Sequence, residues 1–347
     1  MEISYSLEQT AVTGNRSVVT IGAFDGIHLA HQELLRRVRE RAARENAASV
    51  AITFDPHPLR VLAPQKAPKL LTPPPVRLEW IEKSGVDRLL ILPFNRDFSL
   101  WPPEKFVEEV LVKALRAVAV VVGDNFRFGY RAAGTPAVLE ELGKRWQFET
   151  QVLSSMNVRG MPVSSSQIRS LLEEGRISAA NRLLGHPFSV RNAIEPGLGI
   201  GRSQTVPTLN LAPYSEMLPA TGVYVTWARL GFNHKDTKEG TKTGPELHRA
   251  ELSLRGLRSV TNVGYRPTFG ERALGIETHL LEPHLLEKWD GPRPATLEVS
   301  FLYRLRDERK FDSPEELKAQ ILLDIRRAEN LFRRLELFRI PSVLPGG

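Results

Sequence analysis

The sequence predicts an α/β fold with a parallel sheet, followed by a small antiparallel β-barrel closed by a long helix. Three observations lead there. Up to about residue 186, short apolar strands alternate with helices, the crossovers that parallel strands require. From Phe188 onward, short strands separated by Gly and Pro turns replace the helices, as in small barrels. A capped amphipathic helix ends the chain. The 347 residues also exceed the usual span of one core. The expected domains are residues 1–186 and 187–347.

Val18–Ile21 is a β-branched strand, and 29–45 is a helix with Leu34, Leu35, Val38 and Ala42 on one face. Ser49–Phe54 is a buried strand closed by Asp55-Pro-His-Pro58. Helix, strand and helix follow at Arg77–Ser84, Arg88–Leu92 and Pro103–Lys113. Ala117–Gly123, Thr135–Arg145 and Glu149–Leu153 give strand, helix and strand. Ser164-Ser-Ser166 starts a helix that Gly175 stops, and Ile177–Leu184 stops at Gly185. Barrel strands are expected at Phe188–Ala193, Val206–Leu211, Gly222–Ala228, Ala250–Leu254, Ser259–Val263, Gly275–Leu281 and Thr296–Tyr303. Asn233–Glu246 is polar and reads as a loop. Ser313 and Glu316 form a capping box with Pro314 at the first helical position. Leu317, Ile321, Ile325, Leu331, Phe332 and Leu335 make the apolar stripe of that last helix.

Hydrophobic residues are 41% and charged residues 25% of the chain, ordinary for a globular protein. No segment approaches the roughly 18 apolar residues of a membrane span. No secretory signal is visible and cysteine is absent, which rules out disulfides and thiolate chemistry and fits a cytoplasmic enzyme. The net charge of +7 suits polyanionic partners, either nucleotides or nucleic acid. The densest basic run, Arg36–Arg41, is interleaved with Glu33, Glu40 and Glu45 and reads as a solvated helix face. No nucleic acid partner is expected from it.

Five motifs carry chemistry. In the first, Val18–Ile21 feeds Gly22-Ala-Phe24-Asp25-Gly26 and then His28 and His31 at a helix start. Glycines let a ligand approach the backbone, and a helix N-terminus offers free N–H groups and partial positive charge. The two histidines can donate to a phosphate as charge builds on it; alternatively they are polar surface. Gly123–Gly129 offers Asn125 for a base, ribose or flavin edge and Arg127 for phosphate, and also suits a turn with core phenylalanines. Ser165, Ser166 and Arg169 make an anion site or a plain helix cap with a surface arginine. Gly197, Gly201 and Arg202 precede Thr208 and Asn210. The last two share a strand face, where two hard oxygens suit Mg²⁺ with nucleotide phosphates or merely a polar surface. Glu277, in a strand-like run, is a proton acceptor for a hydroxyl or a surface glutamate. The turns after Ile21, Phe54 and Val122 all fall at the carboxyl edge of a parallel sheet, where ligands bind.

Together these motifs resemble the bacterial bifunctional riboflavin kinase/FAD synthetase family, in its order and over nearly the whole chain. The family's G-x-F-D-G-x-H-x-G-H is similar to Gly22–His31, with Ala30 for the last glycine, and its F-x-P-H-P to Phe54–Pro58. V-G-x-x-F-R-F-G resembles Val122–Gly129, and S-S-T-x-I-R resembles Ser164–Arg169 with Ser166 for threonine. G-R-x-x-G-F-P-T-x-N resembles Gly201–Asn210, except that Gln204-Thr205-Val206 replaces the usual apolar-Gly-aromatic. N-x-G-x-R-P-T-F and E-x-H-L-L resemble Asn262–Phe269 and Glu277–Leu281.

The resemblance implies a Rossmann-like nucleotidyltransferase domain and a riboflavin kinase-like barrel. Riboflavin, FMN and ATP would be the bound molecules, with Mg²⁺ as cofactor and FMN and FAD as products. In the kinase half, Thr208 and Asn210 would hold Mg²⁺ and ATP phosphates, and Glu277 would deprotonate the ribityl 5′-hydroxyl. In the synthetase half, FMN phosphate would attack the ATP α-phosphate. His28 and His31 would stabilise the developing charge, Ser165, Ser166 and Arg169 would grip phosphates, and Asn125 and the turn with Asp55, Pro56 and Pro58 would face nucleotide and flavin. The protein is expected to be a monomer or weak homo-oligomer. Two other readings stand beside this one: an adenylyltransferase with a non-catalytic flavin-binding barrel, and a nucleic-acid-binding protein on the same scaffold.

Overall fold

The computed structural model describes residues 1–11, 16–195, 208–232, 256–265, 274–282 and 294–337. They form two compact units, Met1–Gln167 and Ile168–Gly347. In the first, β1 (Glu2–Ser4), β2 (Ser17–Ile21), β3 (Ala48–Asp55), β4 (Arg88–Pro93), β5 (Ala117–Gly123) and β6 (Glu149–Leu153) build one parallel sheet ordered β1-β4-β3-β2-β5-β6. Every residue of β2 is buried, because helices cover both faces of the sheet. The connecting helices are α1 (Leu7–Ala11), α2 (Leu29–Glu45), α3 (Pro58–Leu62), α4 (Pro74–Lys83), α5 (Arg96–Ser99), α6 (Pro103–Phe106) and α7 (Pro136–Trp146). Leu35, Val38 and Ala42 of α2 are buried as expected, and its arginines pair with Glu33, Glu40 and Glu45.

Strand order locates the ligand edge. The chain runs outward from β2 through β3 to β4, then returns to place β5 on the other side of β2. The switch point therefore lies between β2 and β5, and ligands of such sheets bind beyond the carboxyl ends of strands at that point. Three details differ from the sequence reading. Helix α4 starts at Pro74 rather than Arg77, since prolines are accommodated in a helix's first turn. Helix α6 widens into a π-helix over Val107–Ala114. A hairpin of β7 (Asn157–Val158) and β8 (Met161–Pro162) follows β6, too short to carry a periodic signal.

In the second unit, β9 (Phe188–Glu195), β10 (Thr208–Leu211), β11 (Gly222–Gly231), β12 (Leu257–Tyr265), β13 (Leu274–Leu280) and β14 (Thr296–Arg306) close a barrel ordered β10-β13-β12-β11-β14-β9. Every pairing in it is antiparallel. Tyr224, Phe188, Phe301 and Leu297 fill its interior. A ladder of buried hydroxyls crosses it: Thr226 Oγ1 meets Ser259 Oγ at 2.7 Å and Thr261 Oγ1 at 2.8 Å, and Thr261 meets Thr278 at 3.0 Å. Each buried hydroxyl finds its partner on a neighbouring strand, which favours this register over a slipped one. The expected Ala250–Leu254 strand and Asn233–Glu246 loop lie outside the described residues.

Helices α8 (Ser165–Glu173) and α9 (Ile177–Leu184) precede the barrel. Asn181 donates to Phe301 O at 2.7 Å and accepts from Phe188 N–H at 2.8 Å, so α9 is fastened to β14 and β9.

Helix α10 (Pro314–Leu337) packs Ala328 and Phe332 on Val223, Val225 and Val260. These valines alternate with the interior residues, so α10 covers the barrel's outer face. Leu317 does not join the packed stripe, being 36% exposed. Gln320 and Asp324 are buried in its stead. Arg306 Nε donates to Asp324 Oδ2 at 2.9 Å, and Gln320 Nε2 donates to Asp324 Oδ1 at 2.9 Å. Hydropathy cannot reveal this contact, because two polar residues serve as its buried core.

Phe332 is 1% exposed and its ring centroid lies 4.9 Å from that of Trp227. Phe332→Ala is expected to lower barrel stability by about 3–5 kcal/mol, the usual cost of emptying a large aromatic site. Urea unfolding followed by tryptophan fluorescence measures it. A loss under about 1 kcal/mol would show that α10 is not docked through this ring.

Candidate active sites

The first site is built at the carboxyl end of β2, where the backbone bends sharply. Phe24, Gly26 and Ile27 have φ of 49°, 88° and 40°. Only Gly26 adopts such a value freely, and a β-branched residue there is a genuine outlier. Neighbours hold the bend in place. Asp25 Oδ1 accepts the N–H groups of Leu71 and Thr72, both at 2.9 Å, and Gly26 N–H donates to Thr72 Oγ1 at 2.8 Å. Gln32 Nε2 donates to Ile27 O at 2.7 Å. Asp25 is 2% exposed, so its carboxylate shapes the turn from within. Gly22 is not at positive φ, and a Cβ there would rest on the Phe24 ring at 3.4 Å. Conformation alone does not demand glycine at that position.

The bend delivers His28 as the N-cap of α2, with its Nδ1 accepting His31 N–H at 3.4 Å. An Nδ1 that accepts leaves the ring proton on Nε2. The two imidazoles stack at 3.6 Å between centroids, and the buried Phe24 ring meets His31 edge-on at 5.2 Å. Burial, and secondarily the charge a protonated His28 would carry, hold the His31 pKa well below 6.5. His31 is thus a neutral imidazole near pH 7. Its Nδ1 is buried without a hydrogen-bond partner.

Two further motifs meet this turn. Ser164 caps α8 by accepting Gln167 N–H at 3.2 Å, and Ser165 Oγ donates to Asp25 O at 2.8 Å. This bond spans 140 residues of sequence and sets the serine-rich helix start beside Gly22–His31. Ser166 is exposed, and Arg169 follows one turn later, half-buried. Arg77, absent from the sequence-derived candidates, reaches from α4 to donate to Ala23 O at 3.0 Å and Phe54 O at 3.3 Å. It joins the carboxyl ends of β2 and β3. No motif marks it, and an isolated arginine in a helix reads as surface.

Beyond β3, the Asp55–Pro56 bond is cis. Asp55 and Pro56 are exposed, Pro58 opens α3, and His57 caps α3 through Leu59 N–H at 3.2 Å. Phe54, Phe94, Phe98 and Trp101 form a chain of ring contacts after β3 and β4, with centroids 5.0–6.2 Å apart. All four rings are partly exposed, which suits a flat conjugated ligand. Beyond β5, Ser155 donates to Asp124 from N at 2.7 Å and from Oγ at 2.6 Å, holding that carboxyl below its usual range. Asn125 and Arg127 stand exposed on the loop so fastened. Gly129 has φ of 71°, and a Cβ there would collide with Pro103 at 2.8 Å.

The second site lies on the outer barrel face. Thr208 and Asn210 of β10 stand opposite His279 and Glu277 of β13, and Glu277 stands opposite Asn262 of β12. Asn210 is also opposite Glu195 of β9. Matched register puts Glu195, Asn210, Glu277 and Asn262 in one polar row across four strands, with Thr208 one pleat away. The same face is apolar further along, where Val223 and Val260 take up α10. Glu277 is exposed, and Asn210 is buried to 8%. Gly197, Gly201, Arg202 and the Gln204–Val206 segment lie outside the described residues.

Comparison with known proteins divides the chain in the same way. Residues 11–167 match the FAD synthetase family model and residues 184–332 the riboflavin kinase model. A bifunctional riboflavin kinase/FMN adenylyltransferase of Escherichia coli (strain K12) is 32% identical over 91% of this chain and 92% of its own length. One from Buchnera aphidicola subsp. Schizaphis graminum is 30% identical over 96% of this chain and 99% of its own. The crystal structure of a macrolide-efflux protein from Streptococcus pneumoniae shares the fold, with a TM-score of 0.77 and 26% identity over 94% of this chain and 98% of that one. Among the described residues no helix is long and apolar enough to cross a membrane.

The depressed His31 pKa makes a stability prediction. Below 6.5 the unfolded chain takes up the proton that folded His31 resists, so stability is full above this value and falls as the pH drops through it. The first unit's melting temperature is expected to fall between pH 6.5 and about 5, and His31→Gln to flatten that fall. Parallel pH profiles for the two proteins would contradict the assignment.

Proposed function

The chain belongs to the bifunctional riboflavin kinase/FMN adenylyltransferase family, and on that premise we propose how its residues divide the two reactions. The enzyme phosphorylates riboflavin to FMN with ATP and adenylylates FMN to FAD, releasing pyrophosphate. The observation that carries the reading is the tandem match of both family models, each falling on a separately built polar site. Two activities in the relatives' names favour a catalytic barrel over an inactive flavin-binding one. We keep the domain division at residue 187, just before the barrel's first strand begins at Phe188.

In the first domain the FMN phosphate oxygen attacks the ATP α-phosphorus as the bond to pyrophosphate breaks. An anionic phosphate needs no side-chain base. His28 Nε2–H and the first N–H groups of α2 face the charge that builds in this step, and neutral His31 supports His28 by stacking. Ser165, Ser166 and Arg169 hold phosphate oxygens at the start of α8. Asp25 acts through the turn it shapes. Asn125, Arg127 and the Asp55–Pro58 turn face nucleotide and flavin, with the Phe54–Trp101 rings as the flat wall.

In the barrel, Glu277 takes the proton of the ribityl 5′-hydroxyl as its oxygen attacks the γ-phosphorus and ADP leaves. Thr208 and Asn210 fit Mg²⁺ by donor type, since both offer neutral hard oxygens. Two neutral protein oxygens suit an ion delivered with ATP phosphates. Bound there, Mg²⁺ would neutralise phosphate charge. Asn262 and Glu195 border Glu277 and Asn210 and orient the polar row. A chain without cysteine suits the cytoplasm, and we take the working state as a monomer or weak homo-oligomer.

Glu277→Gln is expected to cut FMN formation from riboflavin by about 10²-fold or more, the scale of a lost general base. FAD formation from supplied FMN should stay at the wild-type rate. His28→Ala should do the reverse, slowing FAD formation by about 10²-fold and sparing FMN formation. Rapid-quench chromatography of flavins reads both. Near-normal riboflavin phosphorylation by Glu277→Gln, or loss of both steps in either variant, would refute the division of roles.

A further inference from the structure

Arg77 is 2% exposed and, among the described residues, has no ion-pair partner. Among the described residues its guanidinium donates only to the main chain, at Ala23 O and Phe54 O, and its Nε is buried without a hydrogen bond. A guanidinium keeps its proton inside proteins, so a full positive charge sits beneath the turn with incomplete compensation. Burial disfavours that charge, and Asp25 and Asp55 favour it from a distance. Both carboxylates are otherwise placed: Asp25 accepts from Leu71 and Thr72, and Asp55 stands exposed at the end of β3. A buried cation of this kind is costly for folding alone. Its cost falls when an anion arrives at the carboxyl edge above it.

We propose that Arg77 is a positioning residue for adenylyl transfer. It fixes the ends of β2 and β3 relative to each other and supplies a buried positive charge under the Gly22–His31 turn, so that the triphosphate of ATP binds to a preset backbone. Arg77 does not touch the substrate. It acts through the carbonyls of Ala23 and Phe54, and so through the turn that carries His28 and the turn that carries Asp55. The inference rests on the adenylyltransferase reading of this edge. It differs from the roles given to the histidines and serines, which face the phosphates directly.

The test compares wild type, Arg77→Lys and Arg77→Met in full-length protein, with FAD formation from FMN and FMN formation from riboflavin measured on each. Arg77→Met is expected to raise the KM for ATP in the FAD step about 10-fold and lower kcat by about 10- to 100-fold, as small displacements at a reacting centre do. Arg77→Lys, which keeps the charge but loses the planar fork, is expected to recover the KM more than the kcat. The riboflavin step should be unchanged in both variants, showing that the barrel is folded, and an unchanged far-ultraviolet circular dichroism spectrum and melting profile should show the same of the first unit. KM and kcat within twofold of wild type for Arg77→Met would overturn the proposal. So would equal loss of both reactions in both variants, which would make Arg77 a folding residue only. Wild-type protein that forms no FAD from FMN and ATP would instead overturn the underlying adenylyltransferase reading.

Discussion

The first site depends on holding a backbone shape that the chain would not adopt alone. Phe24 and Ile27 sit at positive φ, and each such residue costs on the order of 1–3 kcal/mol. The Asp25 carboxylate secures the bend from inside by accepting two main-chain N–H groups from Leu71 and Thr72. Arg77 secures it from the side, and Ser165 ties α8 onto it. The reward is placement. With the bend fixed, α2 starts with His28 as its N-cap just beyond the carboxyl end of β2. Several conspicuous residues of the motif therefore work as architecture. Phe24 backs His31, and Gly26 supplies the backbone freedom that the bend needs.

The barrel solves a different problem. Its interior is filled, so its chemistry must lie on the outer face or at an end. One outer region is covered by α10, through Phe332 and the buried Arg306–Asp324 pair. Another carries the row Glu195, Asn210, Glu277 and Asn262. Strand register alone sets those four residues side by side, so a slip of one residue would turn Glu277 into the core. The hydroxyl ladder inside the barrel opposes such a slip from the other face. Alignment of this polar row and packing of the barrel core are thus the same constraint seen from two sides.

Much of this was legible in the residues. Strands β2, β3 and β5 are unbroken apolar runs, and their turns carry glycine, proline and charged residues in patterns too specific for chance. The pairing of Glu277 with Asn210 was not legible, because register between strands far apart in sequence leaves no local periodicity. Nor was the role of Arg77, whose partners are main-chain carbonyls that no side-chain pattern records. Helix α10 was read correctly as amphipathic, yet its buried line includes Gln320 and Asp324 and leaves Leu317 exposed. Hydropathy weighs each residue singly, whereas Asp324 is buried only because Arg306 and Gln320 accompany it. The tie between the helical stretch before residue 187 and the barrel strands, made through Asn181, left no signal in the residues either.

The central claim is that one chain performs two phosphorus transfers at two separate sites, breaking ATP at different bonds. Isotope tracing reads this directly. Riboflavin is incubated with the protein and ATP labelled at either the γ- or the α-phosphorus, and the flavins are separated over time. The account predicts γ-label first in FMN and then in FAD, with α-label in FAD alone. Flavin products that never carry α-label, or FMN that carries it, would contradict the account.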